Sequence, residues 1–171
     1  MKKDFSRFAP LALVVKNQKY VVRTSKPRDA VQSAALLNES GVRHWLLHEG
    51  RIKPRKPKKD GAKRLCIEQG GKVVGLMGFE PGFGRNSHCA KFWIAFNKTT
   101  RGTGLAKKAF KALFPILRKE GVELLRAGIF SDNLRARRFY EKLGFKEYGV
   151  LPGGLKRGQK HFDCVFVYKK L

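Results

Sequence analysis

The segment Arg101-Gly102-Thr103-Gly104-Leu105-Ala106-Lys107-Lys108 concentrates the most chemistry in this chain of 171 residues. Glycines let the backbone turn tightly and approach a ligand closely. The apolar spacing that follows predicts a helix. The first turn of a helix offers unpaired N–H groups and the positive end of its dipole, a ready anion site. With Lys107 and Lys108 beside it, this turn suits a diphosphate, although a glycine pair before a helix is also how an ordinary turn looks. It is not a GxxxxGK(S/T) loop, and GxGxxG is missing.

Other side chains could move protons. Tyr140 carries a phenol, protonated at neutral pH and able to donate; the bland alternative is an aromatic packed behind a helix, which is how Phe139 reads. Glu80 and His88 lie just upstream of the strand that feeds the loop. Either could serve as a base, or simply face solvent. His44 and His48 would share a face if the stretch between them were helical, but no HExxH pattern accompanies them, and no metal site is expected. Cys66, Cys89 and Cys164 stand singly, with no CxxC pair, and read as small buried apolar residues. Their odd number and the lack of a signal peptide predict a reducing cytoplasm. No apolar run approaches the roughly 20 residues a membrane helix needs.

Charge narrows the partners. Lys and Arg number 38 against 13 Asp and Glu, a formal net charge of +25. Such a field draws in polyanions over a Debye length. It is densest in residues 51–64, RIKPRKPKKDGAKR, whose prolines and like charges cannot pack in a core. This loop is predicted to be a polyanion-binding arm carrying Arg51, Lys53, Arg55, Lys56, Lys58, Lys59, Lys63 and Arg64; the plainer alternative is a solvated connection. Arg135, Arg137 and Arg138 form a second basic group.

The elements that must position these residues follow from periodicity. Strands are predicted at Lys19–Thr24, Leu65–Glu68, Lys72–Phe79, Cys89–Phe96, Leu124–Phe130, Phe145–Leu151 and His161–Tyr168. A helix starting near Pro27 carries Ala30, Val31, Ala34, Ala35 and Leu37 and stops near Gly41. A shorter one is expected over Trp45–Leu47. A long helix runs from about Gly104 to Glu120, with Pro115 predicted to kink it or end it early. The last helix covers Asn133–Leu143, with Gly144 as its cap. Residues 1–17 form an extension that the pattern does not place. The order is that of one α/β (α+β) domain spanning residues 1–171, built on a mixed sheet.

Two motifs at this spacing carry a resemblance. Arg101-x-x-Gly104-x-Ala106 resembles the R/Q-x-x-G-x-G/A loop of the GNAT superfamily of N-acetyltransferases. Asn133-Leu134-Arg135-Ala136-Arg137-Arg138-Phe139-Tyr140-Glu141-Lys142-Leu143-Gly144-Phe145 resembles the family's second motif, and Gly149 to Asp163 its closing hairpin. The resemblance implies a six- to seven-stranded, mostly antiparallel sheet with about four helices. It implies that this sheet splays open to take acetyl-coenzyme A. By position, Trp93, Ile94, Ala95 and Phe96 would pair with the pantetheine arm. Arg101, Gly102, Thr103, Gly104, Leu105, Ala106 and Lys107 would hold the pyrophosphate, and Asn133 would contact the cofactor. Tyr140 would protonate the departing thiolate. Many members place a glutamate base where this chain has Lys91.

The expected activity is therefore acetyl transfer to an amine. A protein N-terminus, a ribosomal protein or an aminoacyl-tRNA fits both the charge and the missing glutamate, because an α-amine is already partly free at neutral pH. RNA, the ribosome or an acidic protein are the expected partners, no membrane is involved, and the family often forms homodimers. The alternative is a GNAT scaffold without catalysis that binds nucleic acid or an acidic protein. A cationic small acceptor such as a polyamine ranks last, since a charge of +25 repels it.

Overall fold

Alternating apolar residues make strands the main regular element of this chain, and the computed structural model describes residues 8–55 and 63–171, the side chain of Lys63 excepted. The order is β1 (Leu11–Val15), β2 (Gln18–Thr24), a 3-10 turn at Pro27–Asp29, α1 (Ala30–Asn38), α2 (Ser40–Arg43), β3 (Lys63–Gln69) and β4 (Lys72–Pro81). Then follow β5 (Cys89–Phe96), α3 (Leu105–Lys119), β6 (Leu124–Phe130), α4 (Leu134–Lys142), β7 (Lys146–Arg157) and β8 (Lys160–Lys170). The strands form one sheet in the order β1-β2-β3-β4-β5-β6-β8-β7. Among the described strands, only β5 and β6 run parallel. The mixed α/β architecture is the one expected, but the sheet has eight strands, not six or seven.

The added strand is β1, within the extension that periodicity left unplaced. It folds back on β2 through Lys16 and Asn17, both left-handed at φ 49° and 61°. That is the turn geometry whose twist suits a two-residue hairpin. Three further expectations are corrected. Lys63 and Arg64 belong to β3, paired with Phe79 and Gly78, rather than to the basic loop. The helix expected at Trp45–Leu47 lies earlier, at Ser40–Arg43, so His44 and His48 do not share a helical face. Pro115 does not end α3. It sits on the exposed side, while Leu113 and Leu117 anchor both neighbouring turns in the core.

The sheet has two unlike faces. On one, α3 and α4 cover Leu65, Ile67, Met77, Phe79, Phe92, Leu125, Ala127 and Val167 with Leu105, Ala109, Phe110, Leu113 and Tyr140. On the other, Leu36, Leu37 and Val42 from α1 and α2 cover Cys66, Leu76 and Ala95. Val31, expected in the apolar stripe of α1, is exposed instead. A buried ion cluster fixes the start of α1. Arg23 donates to both oxygens of Asp29 at 2.7 and 2.8 Å and to Glu68 at 2.6 and 2.8 Å. Hydrogen bonds from Arg23 hold the Asp29 carboxyl down at about 2, against the opposing effect of burial.

Candidate active site

Three rungs join β5 to β6: Cys89 to Leu124, Ala90 to Leu125 and Lys91 to Arg126. Beyond Lys91 the strands part, so Phe92–Phe96 and Ala127–Phe130 carry backbone groups with no partner strand between them. Unpaired backbone polar groups need a partner, and this gap is the place for one. A cleft of about 830 Å³ runs through it and touches both faces of the sheet.

At one end of the cleft lies the glycine turn. Gly102 and Gly104 have φ 78° and 93°, the left-handed region that favours glycine. Gly104 is the N-cap of α3. A Cβ there would meet nothing within 4 Å, so the space beside it is open to a ligand. The helix supplies no partners for its first amides. Thr103 Oγ1 accepts from Leu105 N at 3.3 Å, which leaves those of Ala106 and Lys107, both lining the cleft. Arg101 braces the turn. Its Nε donates to Phe96 O at 2.9 Å and its Nη2 to Glu39 at 3.1 Å, with Gly41 leaving room for the guanidinium. Asn133 Oδ1 accepts from Ala136 N at 3.1 Å and so caps α4, while the residue also lines the cleft.

Of the expected cofactor residues, Trp93, Ile94, Ala95, Phe96, Arg101, Gly102, Gly104, Ala106, Lys107 and Asn133 come together on the cleft wall. Thr103 and Leu105 do not. The Thr103 hydroxyl is spent on Thr100 O and Leu105 N, and Leu105 is buried in the core. These positions fit a diphosphate ester with an extended arm: free amides and a dipole at one end, an unpaired strand edge along the other.

Where the strands part, Lys91 Nζ lies 4.0 Å from Glu80. Both line the cleft. The strand position that faces the gap thus holds a cation, and the carboxylate stands one strand over at the same register. His88 is exposed and off the cleft wall, so of the two candidate bases only Glu80 is placed there. Tyr140 reaches the cleft from α4, its ring packed on Phe92, Phe139 and Phe145. Burial pushes its phenol well above the usual range, so it stays protonated.

The opposite wall is one that sequence reasoning missed. Trp45, Leu46, Leu47 and His48 follow α2 and line the cleft with Leu37, Val42 and Ile52. Trp45 packs on Phe130 across the gap. Arg157, from the end of β7, stacks within 4.8, 4.5 and 4.4 Å of the rings of Trp45, Phe130 and Phe162 and pairs with Asp132 at 3.0 Å. No local pattern announces these contacts, because they join residues far apart in the chain. Arg64 lies over Trp93 at 5.6 Å and lines the same wall. Of the basic arm, Arg51, Lys53 and Arg55 are exposed, and Lys56, Lys58 and Lys59 lie outside the described residues. No group of three or more His, Cys, Asp or Glu among the described residues could hold a metal ion. None of the described helices is long and apolar enough to cross a membrane.

Known proteins are similar to this chain in sequence and in fold. A curated Bacillus subtilis (strain 168) protein named "Putative phosphinothricin acetyltransferase YwnH" is 27% identical over 109 residues, 63% of this chain and 67% of that protein. Two solved structures show the same fold. Mycobacterium smegmatis RimJ in complex with CoA-disulfide superposes with a TM-score of 0.76 at 17% identity, over 94% of this chain and 86% of that one. The ribosomal-protein-alanine N-acetyltransferase from Brucella melitensis gives 0.72 at 23%, over 88% and 99%. Residues 33–145 match the family described as Acetyltransferase (GNAT) family. With the split sheet, the glycine turn and this match over most of its length, the chain belongs to the GNAT family of acetyltransferases, enzymes that draw on acetyl-coenzyme A.

Proposed function

We propose that this enzyme acetylates an amine presented by an acidic or nucleic-acid-associated acceptor: a protein N-terminus, a ribosomal protein or the amino acid of an aminoacyl-tRNA. The observation that carries this reading is the sign of the charge. The chain bears +25, and Arg64 and Lys91 on the cleft wall extend that sign to where the acceptor amine must arrive. Acidic carriers are concentrated by such a field and small cations are not. With Glu80 in the cleft, the choice of acceptor rests on charge and no longer on a missing carboxylate.

Bound acetyl-coenzyme A supplies an activated thioester. The amides of Ala106 and Lys107 and the start of α3 hold its phosphates, Gly104 leaves them room, and Asn133 offers its side-chain N–H groups. The strand edge of Trp93–Phe96 orients the extended arm. Glu80 takes the proton released by the attacking amine, directly or through water. Tyr140, protonated on the cleft wall, would hold the proton that a departing thiolate needs.

The test is acetyl transfer from radiolabelled acetyl-coenzyme A to four acceptors: an acidic peptide with a free N-terminus, the same peptide with a blocked N-terminus and one lysine, an aminoacyl-tRNA, and phosphinothricin. Transfer to the free N-terminus or the aminoacyl-tRNA, falling steeply as salt rises, is the expected result. Transfer confined to the lysine would overturn the α-amine reading. The named relative favours a second reading, a small-molecule acceptor, and transfer to phosphinothricin alone would establish it.

A further inference from the structure

A transverse row of register partners crosses the sheet from the cleft outward. Glu80 on β4 faces Lys91 on β5, Lys91 faces Arg126 on β6, Arg126 faces Tyr168 on β8, and Tyr168 faces Lys146 on β7. Side chains opposite one another in register point to the same face. This is the face that α1 and α2 cover over Cys66, Leu76 and Ala95. Beyond Lys91 the Trp45–Arg157 stack lies over Phe130, and the rest of this half is open around Arg126, which is exposed.

What stands on this bare half is cationic and aromatic. Arg126 and Lys146 are exposed, and neither has a carboxylate partner among the described residues. Tyr148 is 53% exposed beside them. It sits at a bulge in β7, between Glu147 and Gly149, that turns its ring onto this face. The ring lies 5.9 Å from Phe166 and 5.7 Å from Tyr168. The acid of that bulge, Glu147, pairs with Arg137 of α4 and so belongs to the opposite side.

We propose that this face, centred on Arg126, Lys146, Tyr148 and Tyr168, binds a single-stranded nucleic acid segment and leads it to the Glu80–Lys91 end of the cleft. Exposed π faces take unpaired bases by stacking, and cations interleaved with them take the phosphates. A duplex keeps its bases stacked inside and cannot use the aromatic half of the surface. A second copy of the chain is the competing occupant, but it would bring another charge of +25 against this one, which a polyanion neutralises instead. The proposal rests on the acceptor reading above only for where the bound strand leads; the surface itself is independent of it.

The test is fluorescence anisotropy of short, labelled single-stranded RNA and DNA of one sequence, with sedimentation of the protein and acetylation of the acidic peptide measured alongside. Arg126→Gln with Lys146→Gln is expected to weaken binding at least tenfold and to lower the slope of log affinity against log salt by about 0.7 for each cation removed. Tyr148→Ala weakens it roughly five- to a hundredfold, and Tyr148→Phe, which keeps the π face, restores it. Peptide acetylation stays at the wild-type rate throughout. The ratio of RNA to DNA affinity then identifies the sugar. Unchanged binding in both face variants, with loss only when Arg51, Lys53 and Arg55 become Gln, overturns the proposal while leaving the enzyme reading intact. A protein that sediments as a dimer, and becomes a monomer in the face variants with nucleic acid affinity unaltered, overturns it in favour of self-association. Acetylation of neither the peptide nor an aminoacyl-tRNA by the wild type, while the face variants still lose affinity, removes the acceptor reading alone.

Discussion

Glu80 and Lys91 face each other across β4 and β5, 4.0 Å apart, at the level where β5 parts from β6. The pair sets a carboxylate and an ammonium side by side where the two halves of the cleft meet, each half exposed at 49%. At that exposure the ion pair adds little to stability.

Replacing Glu80 with Gln removes the proposed proton acceptor and keeps the shape. The expected result is a fall in kcat/KM of roughly a hundredfold or more, with the Kd for acetyl-coenzyme A unchanged. His88→Ala, off the cleft wall, retains wild-type turnover in steady-state kinetics. A Glu80→Gln enzyme with full activity removes this residue from the mechanism.

Tyr140→Phe deletes one hydroxyl from a buried ring. Turnover is expected to drop about a hundredfold while calorimetric binding of acetyl-coenzyme A and the melting temperature hold. The pH profile carries a second check. Burial raises the phenol above its ordinary value, so it remains a donor throughout the alkaline range. No loss of rate from its ionisation is expected below about pH 10.

Gly104→Ala places a Cβ at φ 93°, a conformation that costs a non-glycine residue about 1–2 kcal/mol. Gly104→Glu adds a negative charge where phosphates must lie, and like charges at such contact cost several kcal/mol. Titration calorimetry is expected to show modest weakening of acetyl-coenzyme A for Ala and loss of roughly a hundredfold or more for Glu.

Asp29 is the stability prediction. Its carboxyl is lowered from 3.8 to about 2, chiefly by hydrogen bonds from Arg23. A depressed value in the folded state means the contribution is complete above about pH 4 and is lost as pH falls toward 2. Asp29→Asn leaves Arg23 with the carboxylate of Glu68 and the carbonyl of Thr24 and is expected to cost about 3 kcal/mol near neutral pH. Its deficit against wild type should shrink in acid, as read by thermal unfolding followed by circular dichroism.

The features that the sequence disclosed are those written locally. Gly104 before a periodic helix and Asn133 before another mark two N-termini, and both do cap helices at the cleft. The strands of the central sheet were legible for the same reason. What was not legible depends on pairing at a distance. Lys16 carries no turn signal, so β1 stayed hidden until its register with β2 was seen. Glu80 is legible as a candidate base, but its pairing with Lys91 follows only from the register of β4 and β5. The wall built by Trp45, Phe130 and Arg157 joins three separate segments, and no spacing rule relates them.

With three rungs holding β5 to β6, the molecule resembles an arch whose keystone is supplied from outside. A ligand that binds in the gap of the folded chain favours the folded state. At a hundredfold excess over Kd that linkage amounts to about 2.7 kcal/mol. In a cell where the thioester pool rises and falls, the lifetime of this protein would follow the metabolic state, and amide exchange along Phe92–Phe96 would report it.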